Sequence, residues 1–134
     1  MPLSSADEQA PIIERLISSG ADTVSDCGGS ATNSLVAAAS FGAKCFHTCK
    51  VSDDQDGIRY LESLKEAGVG HKGNMAPASS IPTGKCLILV TPDAKRTMTT
   101  SLNVSSLMNE SDLDLDQIAN SKIFYIEGLS LIHI

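Results

Sequence analysis

Tryptophan is absent, and three Phe and two Tyr are all the aromatic side chains the sequence holds. So few rings argue against a platform on which nucleic-acid bases stack. Basic charge is also short. Ten Lys and Arg stand against sixteen Asp and Glu, for a net charge of −6. A phosphate backbone is held by clustered cations, so nucleic acid is not expected as a partner. No apolar run approaches the roughly 20 residues that cross a bilayer, so no membrane span is expected. Met1 to Ala10 carries neither a basic patch nor an apolar core, so no signal peptide is expected either. Without an export signal, Cys27, Cys45, Cys49 and Cys86 are expected to be reduced thiols, and the chain cytoplasmic.

What is present suits a globular chain. The 134 residues are 42% hydrophobic and 19% charged, enough for one domain or a piece of a larger one. Two periodicities alternate along it. Ile12, Ile13, Leu16 and Ile17 are spaced as on a helix over Ala6 to Ser18, with Gly20 as its stop. Asp22 to Cys27 reads as a short extended piece. Ala31 to Phe41 is rich in small residues and reads as a closely packed helix ended by Gly42. Lys44 to Val51 reads as a strand. Asp54 to Ala67 reads as a helix with Ile58, Leu61 and Leu64 on one face, and Val69 to Lys72 as a short strand. Asn74 to Pro82 is expected to be a loop. Lys85 to Val90 and Arg96 to Val104, around a Pro-Asp turn, read as a β-hairpin. Ser111 can cap a helix through Ala119, and Lys122 to Ile126 reads as a strand. The order implies an α/β sheet protein with an inserted hairpin.

Cys45, His47 and Cys49 share one face of the expected strand, but its outer two side chains lie about 13 Å apart. A zinc ion needs its ligands within about 2–2.3 Å, so a structural role is preferred and no metal site is expected. Ser52 to Ser63 aligns loosely with a calcium loop through Asp54, Asp56 and Gly57. Serines stand where two required ligands belong, so it reads as a helix start.

The informative stretch is Cys27-Gly28-Gly29-Ser30-Ala31-Thr32-Asn33. Two glycines free the backbone to turn sharply and let a ligand approach. The following helix presents unpaired N–H groups, and Asn33 lies in its first turn, where an amide can donate and accept. That suits neighbouring hydroxyls, as on a sugar. Neither a Walker loop nor GxGxxG is present. A plain tight turn with close helix packing fits the spacing equally well.

This GGSATN stretch, Gly42, the strand KCFHTCKV and Asp53-Asp54-Gln55-Asp56-Gly57 together resemble the N-terminal signature of the PfkB family of sugar and nucleoside kinases, with its ribokinase-like three-layer fold. TGKCLILVTPDAKRTMTTSLNVSSLM looks like the lid hairpin of the family's bacterial adenosine kinase-like branch, and KIFYIEG like the next core strand. The likeness covers about residues 5 to 128 in family order. Leu35 departs from a small residue and Ser52 from a glycine. The resemblance implies a partial kinase domain over 1–128, with lid strands at about 22–28 and 84–104. It implies transfer of the γ-phosphoryl group of ATP, with Mg²⁺, to the hydroxymethyl group of a sugar or nucleoside, adenosine-like substrates favoured. Gly28, Gly29 and Asn33 match the motif that holds the sugar hydroxyls. Arg96 and Glu127 fall near the substrate side in similar proteins. Lids in this family often lie at dimer interfaces, so a homodimer through the hairpin is an expectation.

The family's GxGD motif, which carries the catalytic base, does not occur in these residues. Neither does NxxE, nor a GNALVD-like first strand. The fragment alone is therefore expected to be inactive and to hold no ATP or Mg²⁺, leaving a sugar-binding or self-associating piece as the alternative. Leu129 to Ile134 is what CTG TCT CTT ATA CAC ATC encodes, the string of a transposase adaptor, so residues 129–134 are expected to be an adaptor-derived tail and Met1 an internal or late start.

Overall fold

A computed structural model describes residues 3–77 and 81–127 of the chain. Strands β1 (Cys45–Ser52) and β2 (Val69–Ala76) run parallel. Parallel neighbours need a crossover, which helix α3 (Gln55–Glu66) supplies. The register sets Cys45 opposite Val69 and His47 opposite His71. A second sheet is the antiparallel hairpin of β3 (Lys85–Val90) and β4 (Arg96–Ser101). Its tip is closed by the Thr91 N–H, which donates to the Lys95 carbonyl at 3.0 Å.

Helix α2 (Ser30–Ser40) and α3 cover one face of the parallel pair. Leu35, Val36 and Ala39 of α2, with Tyr60 and Leu61 of α3, close over a buried core of Cys49, Val51, Leu64 and Val69. Each large apolar side chain so buried contributes about 1.5–3 kcal/mol. The opposite face is polar. Lys50 Nζ meets Asp112 Oδ2 at 2.8 Å, and Asn74 Nδ2 donates to the Asp112 carbonyl at 2.6 Å. Lys72 Nζ donates to the Leu113 carbonyl at 2.9 Å.

Two sets of bonds fasten the root of the hairpin. Asp54, the cap of α3, accepts at Oδ1 from the Gly57 N–H (2.8 Å) and the Thr83 hydroxyl (2.6 Å), and at Oδ2 from the Thr83 N–H (2.8 Å). The Ser52 N–H donates to Thr83 Oγ1 at 2.9 Å, and the Ser52 hydroxyl bonds the Ile81 carbonyl. Ser52, where the family signature usually has glycine, thus uses its side chain. From the other side, the Ser4 N–H donates to the Thr100 carbonyl (2.8 Å) and Gln9 Nε2 to the Thr99 carbonyl (2.9 Å). Gln9 belongs to α1 (Ala6–Ser18), whose start is fixed by a reciprocal Ser5–Glu8 capping box.

The α/β order and the hairpin agree with the sequence reading, and several boundaries change. Ile58 is turned outward, 44% exposed, because the face of α3 on the sheet runs through Gly57, Tyr60, Leu61 and Leu64. β2 extends to Ala76, where a loop was expected from Asn74, because each of its residues finds a partner on β1. β4 stops at Ser101. Asn103, with φ +46°, turns the chain into a 3-10 turn over Asn103–Leu107, and its Nδ2 donates to the Thr83 carbonyl at 3.0 Å. The helix expected from Ser111 divides into a short 3-10 turn, Glu110–Asp112, and α4 (Leu115–Ala119). Asp112 turns back to the Asn109 N–H and to Lys50, which breaks the helix there. Residues 22–28, expected as a lid strand, join neither sheet, and Val24 is 92% exposed. Lys122–Ile126 is not a strand either: its backbone has no ladder partner among the described residues. The expected tail, 129–134, lies outside the described residues.

Candidate functional site

The glycine turn opens α2 as the sequence reading requires, but its two glycines differ. Gly29, the residue before the helix, has φ +114°, a conformation that L side chains rarely adopt. A Cβ there would meet Thr32 Oγ1 at 3.5 Å, an ordinary contact, so conformation rather than space demands glycine. At Gly28 nothing lies within 4 Å of an added Cβ. Among the described residues, packing makes no demand for glycine there.

Gly29, before the helix, has no side chain to cap the start of α2, and no acidic residue lies in its first turn. Asn33 donates its backbone N–H to the Gly29 carbonyl at 2.9 Å. Its side-chain amide is exposed and makes no hydrogen bond among the described residues. Glu127 reaches this same helix end from far along the chain. Its carboxylate is held below the usual range by the Tyr125 hydroxyl, which donates to it, and by the Ser30 hydroxyl. An amide and a carboxylate thus flank one uncapped helix start, an arrangement that can accept from and donate to a polyhydroxylated ligand. Arg96 is elsewhere. It opens β4 opposite Val90, at the tip of the hairpin, and is exposed with no side-chain bond among the described residues. Gly28, Gly29 and Asn33 lie on the turn and first turn of α2, Glu127 meets Ser30 of that turn, and Arg96 lies on the hairpin.

Beneath the turn lies a polar cluster that sequence reading missed. Thr32, next to Asn33, is buried, and its Oγ1 sits 2.5 Å from the Tyr60 hydroxyl. The same hydroxyl lies 3.2 Å from His47 Nε2. Burial raises the Tyr60 pKa and, with His71 nearby, lowers that of His47. Cys49 is buried beside them, and desolvation pushes its thiol up to about 11. The segment before the turn is held by Arg59 Nη2, which donates to the Ser25 carbonyl at 2.7 Å. The only available signal was Tyr60 itself, a lone aromatic one turn before Leu64 on the covered face of α3.

Among the described residues no three His, Cys, Asp or Glu side chains gather as a metal-ligand set. Also among them, no helix is long and apolar enough to cross a membrane.

Comparison with known proteins gives this geometry its context. The structure of adenosine kinase from Sinorhizobium meliloti superposes with a TM-score of 0.79 at 30% identity, over 91% of this chain and 36% of that one. That of a probable sugar kinase from Rhizobium etli CFN 42 gives 0.77 at 27% identity, again over 91% and 36%. A ribokinase from Dictyostelium discoideum is 28% identical over 106 residues, which are 78% of this chain and 33% of that protein. The chain therefore spans about a third of the length of these relatives. Its mixed α/β architecture is that of the ribokinase-like kinases. The model of the pfkB family of carbohydrate kinases matches residues 4–133, nearly the whole sequence, and the chain belongs to that family.

Proposed function

We propose that this chain is the N-terminal part of a kinase that phosphorylates the hydroxymethyl group of a sugar or nucleoside, with the 5′-hydroxyl of an adenosine-like compound favoured. The observation that carries the reading is the uncapped start of α2, with the Gly28-Gly29 turn before it and Asn33 and Glu127 beside it. Gly28, Gly29 and Asn33 hold the ring hydroxyls. Glu127 accepts from a further hydroxyl of the same ligand. The hairpin, anchored through Asp54 and Thr83, serves as part of a lid that excludes water from the bound sugar. Arg96, at the hairpin tip, reaches the ligand only if the lid closes over it.

Phosphoryl transfer also requires a base for the attacking hydroxyl and stabilisation of developing charge. ATP and Mg²⁺ supply the phosphoryl donor and charge neutralisation in the full-length enzyme. The described residues offer no ligand set for the ion, and GxGD is not in the sequence. This chain's part is to bind and orient the acceptor. Residues 1–134 alone are expected to transfer no phosphate from labelled ATP to adenosine or ribose; detectable transfer overturns that. Calorimetry with adenosine and ribose tests the binding role, and loss of the heat in Asn33→Ala is the expected result.

A second reading has its own observation. β3 has a strand partner on one edge only among the described residues, and Ile88 and Val90 on it are 48% and 64% exposed. Such an edge can pair with a second copy. Sedimentation across a range of concentrations tests this, and a strictly monomeric chain would rule it out.

A further inference from the structure

We propose that Tyr60 is a positioning residue for the substrate turn, setting the direction of the first turn of α2, and so of Asn33, through a hydrogen-bond chain that ends on a pair of stacked-register histidines. The proposal rests on reading the glycine turn as the acceptor site.

The chain has three links. Thr32 is 5% exposed and adjacent to Asn33. Its hydroxyl and that of Tyr60 are 2.5 Å apart, and Tyr60 in turn lies 3.2 Å from His47 Nε2. The Tyr60 ring is tilted 57° to the imidazole, 6.5 Å away, which leaves the hydroxyl as their polar contact. Gly29 has no side chain with which to cap α2, and Thr32 is a buried anchor one residue from Asn33. His47 faces His71 across the parallel pair, and His71 Nδ1 is buried without a partner among the described residues.

Direction matters because a hydroxyl has one proton to give. With His47 neutral and Nε2 bare, Tyr60 donates to His47 and Thr32 donates to Tyr60. When His47 gains a proton, Nε2–H becomes the donor. Tyr60 must then turn its proton to Thr32, and the Thr32 proton must leave the chain. The groups that bear on His47 are His71 from β2, by charge, and Tyr60 from α3, by hydrogen bond; Cys49 of β1 and Cys27 of the segment before α2 act in turn on Tyr60. α2 contributes no charged side chain. Burial, and then His71, keep His47 below its ordinary value, so reversal belongs to the acid side of pH 6.5.

The test is a proton-detected pH titration of the 134-residue chain. The Gly29 and Asn33 amide signals are expected to move with the same midpoint as the His47 ring. In Tyr60→Phe, His47 still titrates and those amides stay flat. If Tyr60→Phe fails to fold, Thr32→Val is expected to abolish the linked shifts, and Thr32→Ser, which keeps the hydroxyl, to retain them. Amides that ignore His47 in the parent chain, or follow it equally without the Tyr60 and Thr32 hydroxyls, overturn the proposal. So does a His47 that carries its neutral proton on Nε2, since the chain would then have no direction to reverse. Adenosine titrations separate the two readings. Linked amides with affinity that falls in acid for the parent alone support both. Linked amides with no adenosine or ribose binding keep the positioning role and remove the acceptor site.

Discussion

Gly57→Ala is the sharpest test of the packing described at the hairpin root. An added Cβ would stand 2.1 Å from the Ser52 carbonyl oxygen, 2.8 Å from Thr83 Oγ1 and 3.2 Å from Asp54 Oδ1. Real Cβ atoms essentially never come within 3.0 Å of such neighbours, so the carbonyl must retreat by close to an ångström. It cannot do so freely, because Ser52 ends β1 in register with Ala76. Overpacking of this kind costs about 1–3 kcal/mol. Disturbing the Asp54 cap adds about 1 kcal/mol. Alanine returns at most about 1 kcal/mol in helix propensity. The net loss is about 2 kcal/mol, or a fall of roughly 7 °C in Tm. Gly28→Ala is the control, since its Cβ meets nothing, and it should stay within about 0.5 kcal/mol of the parent. Thermal and urea melts followed by circular dichroism read both. A Gly57→Ala chain as stable as the parent would refute the argument for a close approach of α3 to β1.

Three further predictions use the same structure. Desolvation raises the Asp54 pKa, but its hydrogen bonds from Thr83 and Gly57, with Lys85 nearby, outweigh it, so the folded value lies below 3.8. The stabilisation is therefore complete above pH 3.8 and disappears as pH falls through the folded value, and Asp54→Asn should flatten that limb of an acid titration. Lys50→Met should cost about 1–3 kcal/mol in a urea melt, because it leaves the Asp112 carboxylate with the Asn109 N–H but without its cation partner; a Lys50→Met, Asp112→Leu pair should recover much of that, and no recovery would show the pair is not the unit. Cys49, buried with its thiol near 11, should resist iodoacetamide at pH 8, while exposed Cys86 is modified, as peptide mass mapping would read.

Local signal and tertiary partnership divide what could be read in advance. The helices announce themselves through spacing and punctuation: Ser5 and Glu8 box the start of α1, and Gly42, at φ +88°, ends the turn after α2. The hairpin follows from KCLILV and its Pro-Asp turn. The errors run in opposite senses. HKGNMA has a weak strand composition yet pairs throughout, because β1 offers it a ladder. KIFYI has the stronger local signal yet forms no strand, since a ladder needs a neighbour. At the site, Gly29 and Asn33 were legible because their roles are local. The Thr32–Tyr60–His47 chain was not, because it depends on how two helices sit over one strand, and spacing along the sequence does not encode that.

The attachment of α1 carries a consequence for how the protein is made. The only buried residue of that helix is Gln9, and its partner carbonyl belongs to Thr99, 90 positions later. During synthesis at about 5–20 residues per second, that partner leaves the ribosome some 5–20 seconds after Gln9 does. Throughout this interval Gln9 has no Thr99 carbonyl to donate to. The bond that fastens α1 to the hairpin is thus one of the later contacts to form within this stretch of chain, and its making marks the hairpin's arrival against α1.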